Sequence, residues 1–216
     1  MRRARKLPFV LSISETEALL ETAHTLAADP SVGLYRQAGY ARRAALFEML
    51  YASGMRISEA LSLPSDAAPP GTRMLLVRGK GDKQRLVPLH ERAIAAIAQW
   101  QKLASAYSGG KPSPWLFHAV RNGASPLTRQ AALLEIKEAA VAAGLASPER
   151  LSPHVLRHAI ATHMHSGGTD LRVLQDLLGH AGIETTQIYT HLDTSRLQQM
   201  VRDLHPLNEE ERITAD

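Results

Sequence analysis

Arg56, in Ala52-Ser53-Gly54-Met55-Arg56-Ile57-Ser58-Glu59, and Arg157, in His154-Val155-Leu156-Arg157-His158, can grip one phosphodiester between two guanidinium forks. His154, together with His180 of Gly179-His180, can donate hydrogen bonds to its oxygens or move protons. Tyr189, in Ile188-Tyr189-Thr190-His191, offers a phenol that can attack phosphorus. Two arginines on one phosphate neutralise the charge that builds in a pentacoordinate transition state, which is how phosphoryl transfer can proceed without a metal. Taken singly, Tyr189 would be a packing residue and Arg56 a solvated helix arginine. Their joint occurrence in polar, Gly-flanked segments carries the chemical reading.

These side chains need a scaffold, and the pattern supplies mostly helix. Ser14-Glu15-Thr16-Glu17 has the Ser-x-x-Glu form of a capping box, and Ala18, Leu19, Leu20 and Ala23 behind it predict a first helix to about Ala28. A second apolar-periodic run, from about Ala38 through Leu46, Met49 and Leu50, stops at Gly54, a natural left-handed terminator. Arg56 then heads a short helix over 57–63. Pro64, Pro69, Pro70 and Gly71 break the chain. The strand signals, 74–77 and 85–89, flank Gly79-Lys80-Gly81-Asp82, which reads as a hairpin turn with Lys80 at its tip, where a flexible ammonium reaches a ligand.

Helical pattern resumes over 91–106 and 127–143, closed by Gly144. Ser152-Pro153 is an N-cap with Pro at the first helical position, so His154, Arg157 and His158 fall in the first two turns of a helix lasting to about His165. Three residues apart, His154 and Arg157 share a face beside N–H groups that favour an anion. Thr169 or Asp170 caps another helix ending at Gly179, and two short ones follow over 184–191 and 195–204. The expected fold is mainly α with a small antiparallel β-sheet of two or three strands, the Pro-rich stretch 64–71 leaving the third open.

Composition sets the limits. At 216 residues and 44% hydrophobic, the chain buries a core of its own. The absence of cysteine excludes disulfides, thiolate metal sites and a cysteine nucleophile, and suits a reducing cytoplasm. Twenty-five Lys and Arg against twenty-one Asp and Glu give a net charge of +4, which favours polyanionic partners. Arg2, Arg3, Arg5 and Lys6 open the chain, but the apolar run behind them, interrupted by Pro8 and Ser12, is too short for a secretory core. His158, His163 and His165 make one region His-rich without a His-Glu-x-x-His motif, so no zinc site is expected; His158 reads as a helix-packing residue and His165 as surface.

Leu151-Ser152-Pro153-His154-Val155-Leu156-Arg157-His158, with Leu177-Leu178-Gly179-His180 and Thr185-Thr186-Gln187-Ile188-Tyr189-Thr190-His191, resembles the catalytic domain of the tyrosine recombinases, the phage integrase family, and looks closest to the Xer-type chromosome-resolving branch. The similarity runs over about 7–204. It implies Tyr189 as the nucleophile that forms a 3′-phosphotyrosyl bond to DNA and releases a 5′-hydroxyl. It implies Arg56 and Arg157 as the clamp on the scissile phosphate, His154 and His180 as hydrogen-bond donors to it, Lys80 as the acid for the leaving 5′-oxygen, and Glu59 as an orienting acidic residue. No metal and no cofactor are implied. His191, close in sequence to Tyr189, is a polar helix residue or a supporting one.

The expected organisation is a linker remnant or basic tail at 1–10, a catalytic domain at 11–193, and a C-terminal helix and tail at 194–216. Leu197, Met200, Val201 and Leu204 form an apolar stripe in that tail, which packs on the parent domain or, by resemblance, docks into a neighbouring subunit. That gives a cyclic tetramer of recombinase subunits on a double-stranded recombination site, and a monomer or weak dimer without DNA. Family members carry an N-terminal core-binding domain that completes a clamp around DNA. Its absence here, through excision or as a natural short form, implies weaker and more salt-sensitive binding. Four other readings stand beside cytoplasmic chromosome dimer resolution: a mobile-element integrase with the same chemistry, a topoisomerase-like relaxing activity that shares it, a non-catalytic DNA-binding fragment, and a metal-dependent phosphodiesterase using the histidines.

Overall fold

A computed structural model describes residues 9–79, 84–121, 123, 125–170, 174, 177 and 178. In chain order its elements are α1 (Ile13–Ala28), α2 (Leu34–Ser53), α3 (Ile57–Leu61), β1 (Met74–Arg78), β2 (Gln84–Pro88), α4 (Glu91–Ser108), α5 (Arg129–Ala142), a 3₁₀ turn (Pro148–Arg150) and α6 (Pro153–Ser166). The sequence positions these elements locally. Ser12 caps α1 by accepting from the Glu15 N–H at 3.1 Å while Glu15 accepts from the Ser12 N–H at 2.8 Å. Ser14 was the expected cap, and the correction has a simple cause: two overlapping Ser-x-x-Glu registers exist, and Glu15 is the acid that reaches back. Ser152 caps α6 with Pro153 behind it, as the spacing predicts.

The core is organised around α2, whose second half is buried on every side and apolar but for Glu48 and Ser53. Ala44, Ala45, Leu46, Phe47, Met49, Leu50, Tyr51 and Ala52 are all buried, and a helix apolar on every side belongs in the interior. It packs against α1, α4 and, near its C-terminal end, α6. The charges that α2 carries inward are paired, since an isolated buried charge is unstable. Arg42 donates to the His118 carbonyl at 2.8 Å and pairs with Glu135, and Arg43 donates to Glu138 at 2.7 Å. Tyr51 and His163 join α2, α6 and the segment that leads into α1. The Leu11 carbonyl can only accept, so His163 Nε2–H donates to it at 2.7 Å; Nδ1 must then accept from the Tyr51 hydroxyl at 2.9 Å. Burial pushes the Tyr51 pKa up and the His163 pKa down, consistent with a neutral pair. His158 is half-buried and His165 exposed.

Among the described residues there is one sheet, of two strands. β1 and β2 pair antiparallel with Leu75 opposite Val87 and Val77 opposite Arg85. Pro64 makes an isolated bridge with Trp115 and no third strand. The hairpin turn itself, with Lys80, lies outside the described residues. Past α6, the Leu174 N–H donates to the Asp170 carbonyl at 3.1 Å, a helical i to i−4 bond where the next helix was expected to begin. The two short helices expected over 184–191 and 195–204 also fall outside. Among the described residues, no helix is long and apolar enough to cross a membrane.

Candidate active site

The site begins with the way α2 stops. Gly54 takes the left-handed conformation, φ +57°, and its N–H closes on the Leu50 carbonyl at 2.9 Å. The positive φ favours glycine there, and a Cβ would also lie 2.6 Å from Leu178 Cδ2, so that side chain would have to turn aside. Met55 is then buried and Arg56 emerges in extended backbone as the N-cap of α3, its side chain 44% exposed. An apolar anchor next to a half-exposed guanidinium aims the charge outward from a fixed point.

Glu59, one turn into α3, is buried and ringed by donors. It accepts from the Arg56 N–H at 2.8 Å and from Arg56 Nη1 at 3.0 Å. Arg85, from β2, grips the same carboxylate with both η nitrogens, at 3.1 Å and 2.8 Å, and its Nε donates to the Leu177 carbonyl at 3.2 Å. Burial alone would raise the Glu59 pKa. The hydrogen bonds from Arg85 and the Arg56 backbone outweigh it and hold the carboxyl below its ordinary value, so Glu59 is an anion at neutral pH.

Arg157 enters from α6, buried, with its Nη1 on the Gly54 carbonyl and its Nη2 on the Leu178 carbonyl. Its pKa falls to about 10, first through burial and then through the charge of Arg56; Glu59 opposes the fall and Arg85 adds to it. The side chain therefore stays charged at neutral pH, and a guanidinium has more N–H donors than two carbonyls use. His154 lies in the first turn of α6 and is exposed, so the face it shares with Arg157 runs from a solvent-facing rim to a buried cation one turn on. With the Val155 N–H held by Ser152 Oγ at 3.3 Å, that rim is a helix N-terminus beside positive charge.

Of the sequence-predicted residues, the fold thus gathers Arg56, Glu59 and Arg157 in one electrostatic cluster and sets His154 at the start of the helix that carries Arg157. Lys80, His180, Tyr189 and His191 lie outside the described residues. Among the described residues, no group of three metal-ligating side chains is arranged to hold an ion. The residue that sequence reasoning passed over is Arg85. Its signal was the strand's period of two: Arg85 lies opposite buried Val77 and shares the inward face with Val87, so an inward arginine required an inward anion.

A family model described as the phage integrase family matches residues 10–196. The tyrosine recombinase XerD of Bradyrhizobium diazoefficiens is 45% identical over 213 residues, which cover 96% of this chain and 66% of the relative. The tyrosine recombinase XerC of Erythrobacter litoralis is 46% identical over 204 residues, 94% of this chain and 62% of the relative. The chain thus spans somewhat under two thirds of the length of the curated relatives it matches. Among solved structures, XerA recombinase aligns with a TM-score of 0.66 at 28% identity, covering 93% of this chain and 67% of that one. The XerH site-specific recombinase bound to its difH substrate, in a pre-cleavage complex, gives 0.66 at 28% identity, covering 97% and 53%.

Proposed function

The chain belongs to the phage integrase family, and from that premise we propose that it is the catalytic domain of an Xer-type tyrosine recombinase, cutting and rejoining DNA at a specific site. The observation that carries this reading is the meeting of Arg56 and Arg157, about a hundred residues apart in sequence, around the buried Glu59 carboxylate, in an arrangement that among the described residues holds more positive than negative charge. Such a cluster binds a phosphodiester and stabilises the extra charge of its transition state. Tyr189 supplies the nucleophile: its oxygen bonds to phosphorus, the bond from phosphorus to the 5′-oxygen breaks, and Lys80 gives that oxygen a proton. The 5′-hydroxyl of another strand then attacks the phosphotyrosine and restores the phosphodiester, with no net hydrolysis. His154 and His180 hydrogen-bond the non-bridging oxygens and assist proton transfer, taking up the phenol proton as the Tyr189 oxygen bonds to phosphorus, and Glu59 orients Arg56. A phenol with a pKa of about 10 needs such cationic neighbours to lose its proton near neutral pH.

The substrate in this reading is a double-stranded recombination site, held by a cyclic tetramer of like or paralogous subunits working in the cytoplasm. The similarity to XerD and XerC recombinases supports chromosome dimer resolution over mobile-element integration. A duplex nicked so that the cleaved fragment diffuses away tests the chemistry. The wild-type chain should become covalently joined to DNA in the presence of chelator, and Tyr189→Phe should bind the duplex without forming the adduct. An adduct that persists in Tyr189→Phe, or one that chelator abolishes, would overturn the proposal.

A further inference from the structure

We infer that Arg85 is a positioning residue for strand cleavage, acting on the scissile phosphate through Glu59 and Arg56; this rests on the recombinase reading above. Glu59 has two claims on it. It holds Arg56 through the side chain and the backbone, and it is held in turn by Arg85 through both carboxylate oxygens. Arg56 already gives Glu59 one η nitrogen, at 3.0 Å, so the carboxylate aims that guanidinium through this contact and the backbone one. With Arg85 removed, a carboxylate this buried would lose a donor on each oxygen and would take up more of the Arg56 fork, turning it from DNA. Arg85 satisfies both oxygens from the other side and fixes the carboxylate against which Arg56 is aimed.

Arg85 is itself anchored, since its Nε–H donates to the Leu177 carbonyl. The next carbonyl, that of Leu178, accepts from Arg157. Two guanidiniums, one from β2 and one from α6, therefore hold consecutive carbonyls of one segment, and both clamp arginines are referenced to it: Arg157 directly and Arg56 through Glu59 and Arg85. The ion pairs of Arg42 and Arg43 with α5 differ in kind, because they join helix to helix and involve neither clamp arginine. A bidentate grip fixes direction as well as charge, so lysine is a poor substitute at position 85.

The test is a mutant cycle on the full chain, read as the single-turnover rate of covalent adduct formation on the nicked duplex. Arg85→Lys, which keeps the charge and guards against failure to fold, should slow cleavage by about tenfold or more at saturating DNA, with DNA affinity changed by less than about threefold. In an Arg56→Ala background the same substitution should cost less than about twofold, because the residue it acts through is gone. On a duplex with a neutral methylphosphonate at the scissile position, where less charge needs an arginine, the Arg85→Lys defect should shrink. Equal losses in both backgrounds and on both substrates would reduce Arg85 to a structural ion pair and overturn the inference. A wild-type chain that forms no adduct on either duplex would instead remove the recombinase reading, and this inference with it.

Discussion

Glu48 and Glu59 are both buried carboxylates ringed by cations, and the contrast between them separates a structural charge cluster from the one proposed to receive an anion. Glu48, on α2, takes His24 at 2.7 Å and Arg92 at 3.2 Å on one oxygen, with His90 Nε2 at 3.5 Å from the other. Arg92 is shared with Glu21 at 3.3 Å, and burial holds the His90 pKa down even though Glu48 pulls it up. Charge is close to balanced there. Around Glu59, among the described residues, three guanidiniums, those of Arg56, Arg85 and Arg157, face one carboxylate. The excess is positive, and one of its bearers, Arg56, is half-exposed at the surface. Burying a carboxylate is thus compatible with either role; the unbalanced guanidinium charge beside it decides which.

Substitutions should separate the two clusters. The largest effect belongs to the charge aimed outward: Arg56→Ala should slow adduct formation by about 10²- to 10³-fold, as expected for losing a donor to the transition state, while the thermal midpoint moves little. Glu48→Ala should do the reverse. Removing one partner of a buried ionic cluster costs about 3 kcal/mol, visible as a lower denaturation midpoint, with the rate per folded molecule retained. A cleavage defect in Glu48→Ala at full folding would erase the distinction.

Gly54→Ala should lie between them. Forcing an alanine into the left-handed region costs about 1–2 kcal/mol, and the new methyl meets Leu178. Loss of stability and loss of cleavage should therefore appear together, since the Gly54 and Leu178 carbonyls are the ones that hold Arg157.

The smallest effect is a pH dependence. His90, His118 and His163 have folded pKa values below their ordinary 6.5, so between the folded value and about 6.5 the unfolded chain binds more protons. Their contribution is complete above about pH 6.5 and is lost as pH falls through the lowered folded values. Glu48 and Glu59, also lowered, add a further loss at more acidic pH, below the ordinary carboxylate pKa of about 4.3. Melting curves between pH 8 and pH 5 should show the histidine part. His90 caps α4, its Nδ1 accepting from the Ala93 N–H at 3.1 Å; His90→Asn, which retains a capping side chain, should flatten that slope, and Glu59→Gln should leave it unchanged.

How much was legible in the sequence differs from element to element. The end of α2 at Gly54 and the cap and first-turn Pro of α6 were legible because glycine and proline act through their own backbone geometry, whatever surrounds them. The choice between Ser12 and Ser14 was not, since both registers fit the same local pattern and the competition is decided by where Leu11 enters the core. Glu48 left a faint trace as an acid inside the apolar run 44–50 of α2, but its partners come from α1 and the start of α4. Arg85 was readable as a strand residue and unreadable as a partner of Glu59, because the hydrogen bond spans 26 positions.

The sequence by itself determined which residue types are present for the proposed chemistry and, for Arg56 and His154, which helix terminus each one occupies, because residue type and short-range capping follow from a few neighbouring positions. Tertiary structure alone decided that Arg56, Glu59, Arg85 and Arg157 share one charge cluster and that Glu48 belongs to another. The physical reason is range: propensities and caps act over about one turn of chain, whereas the balance of charge around a buried carboxylate depends on segments brought together by the packing of a common core.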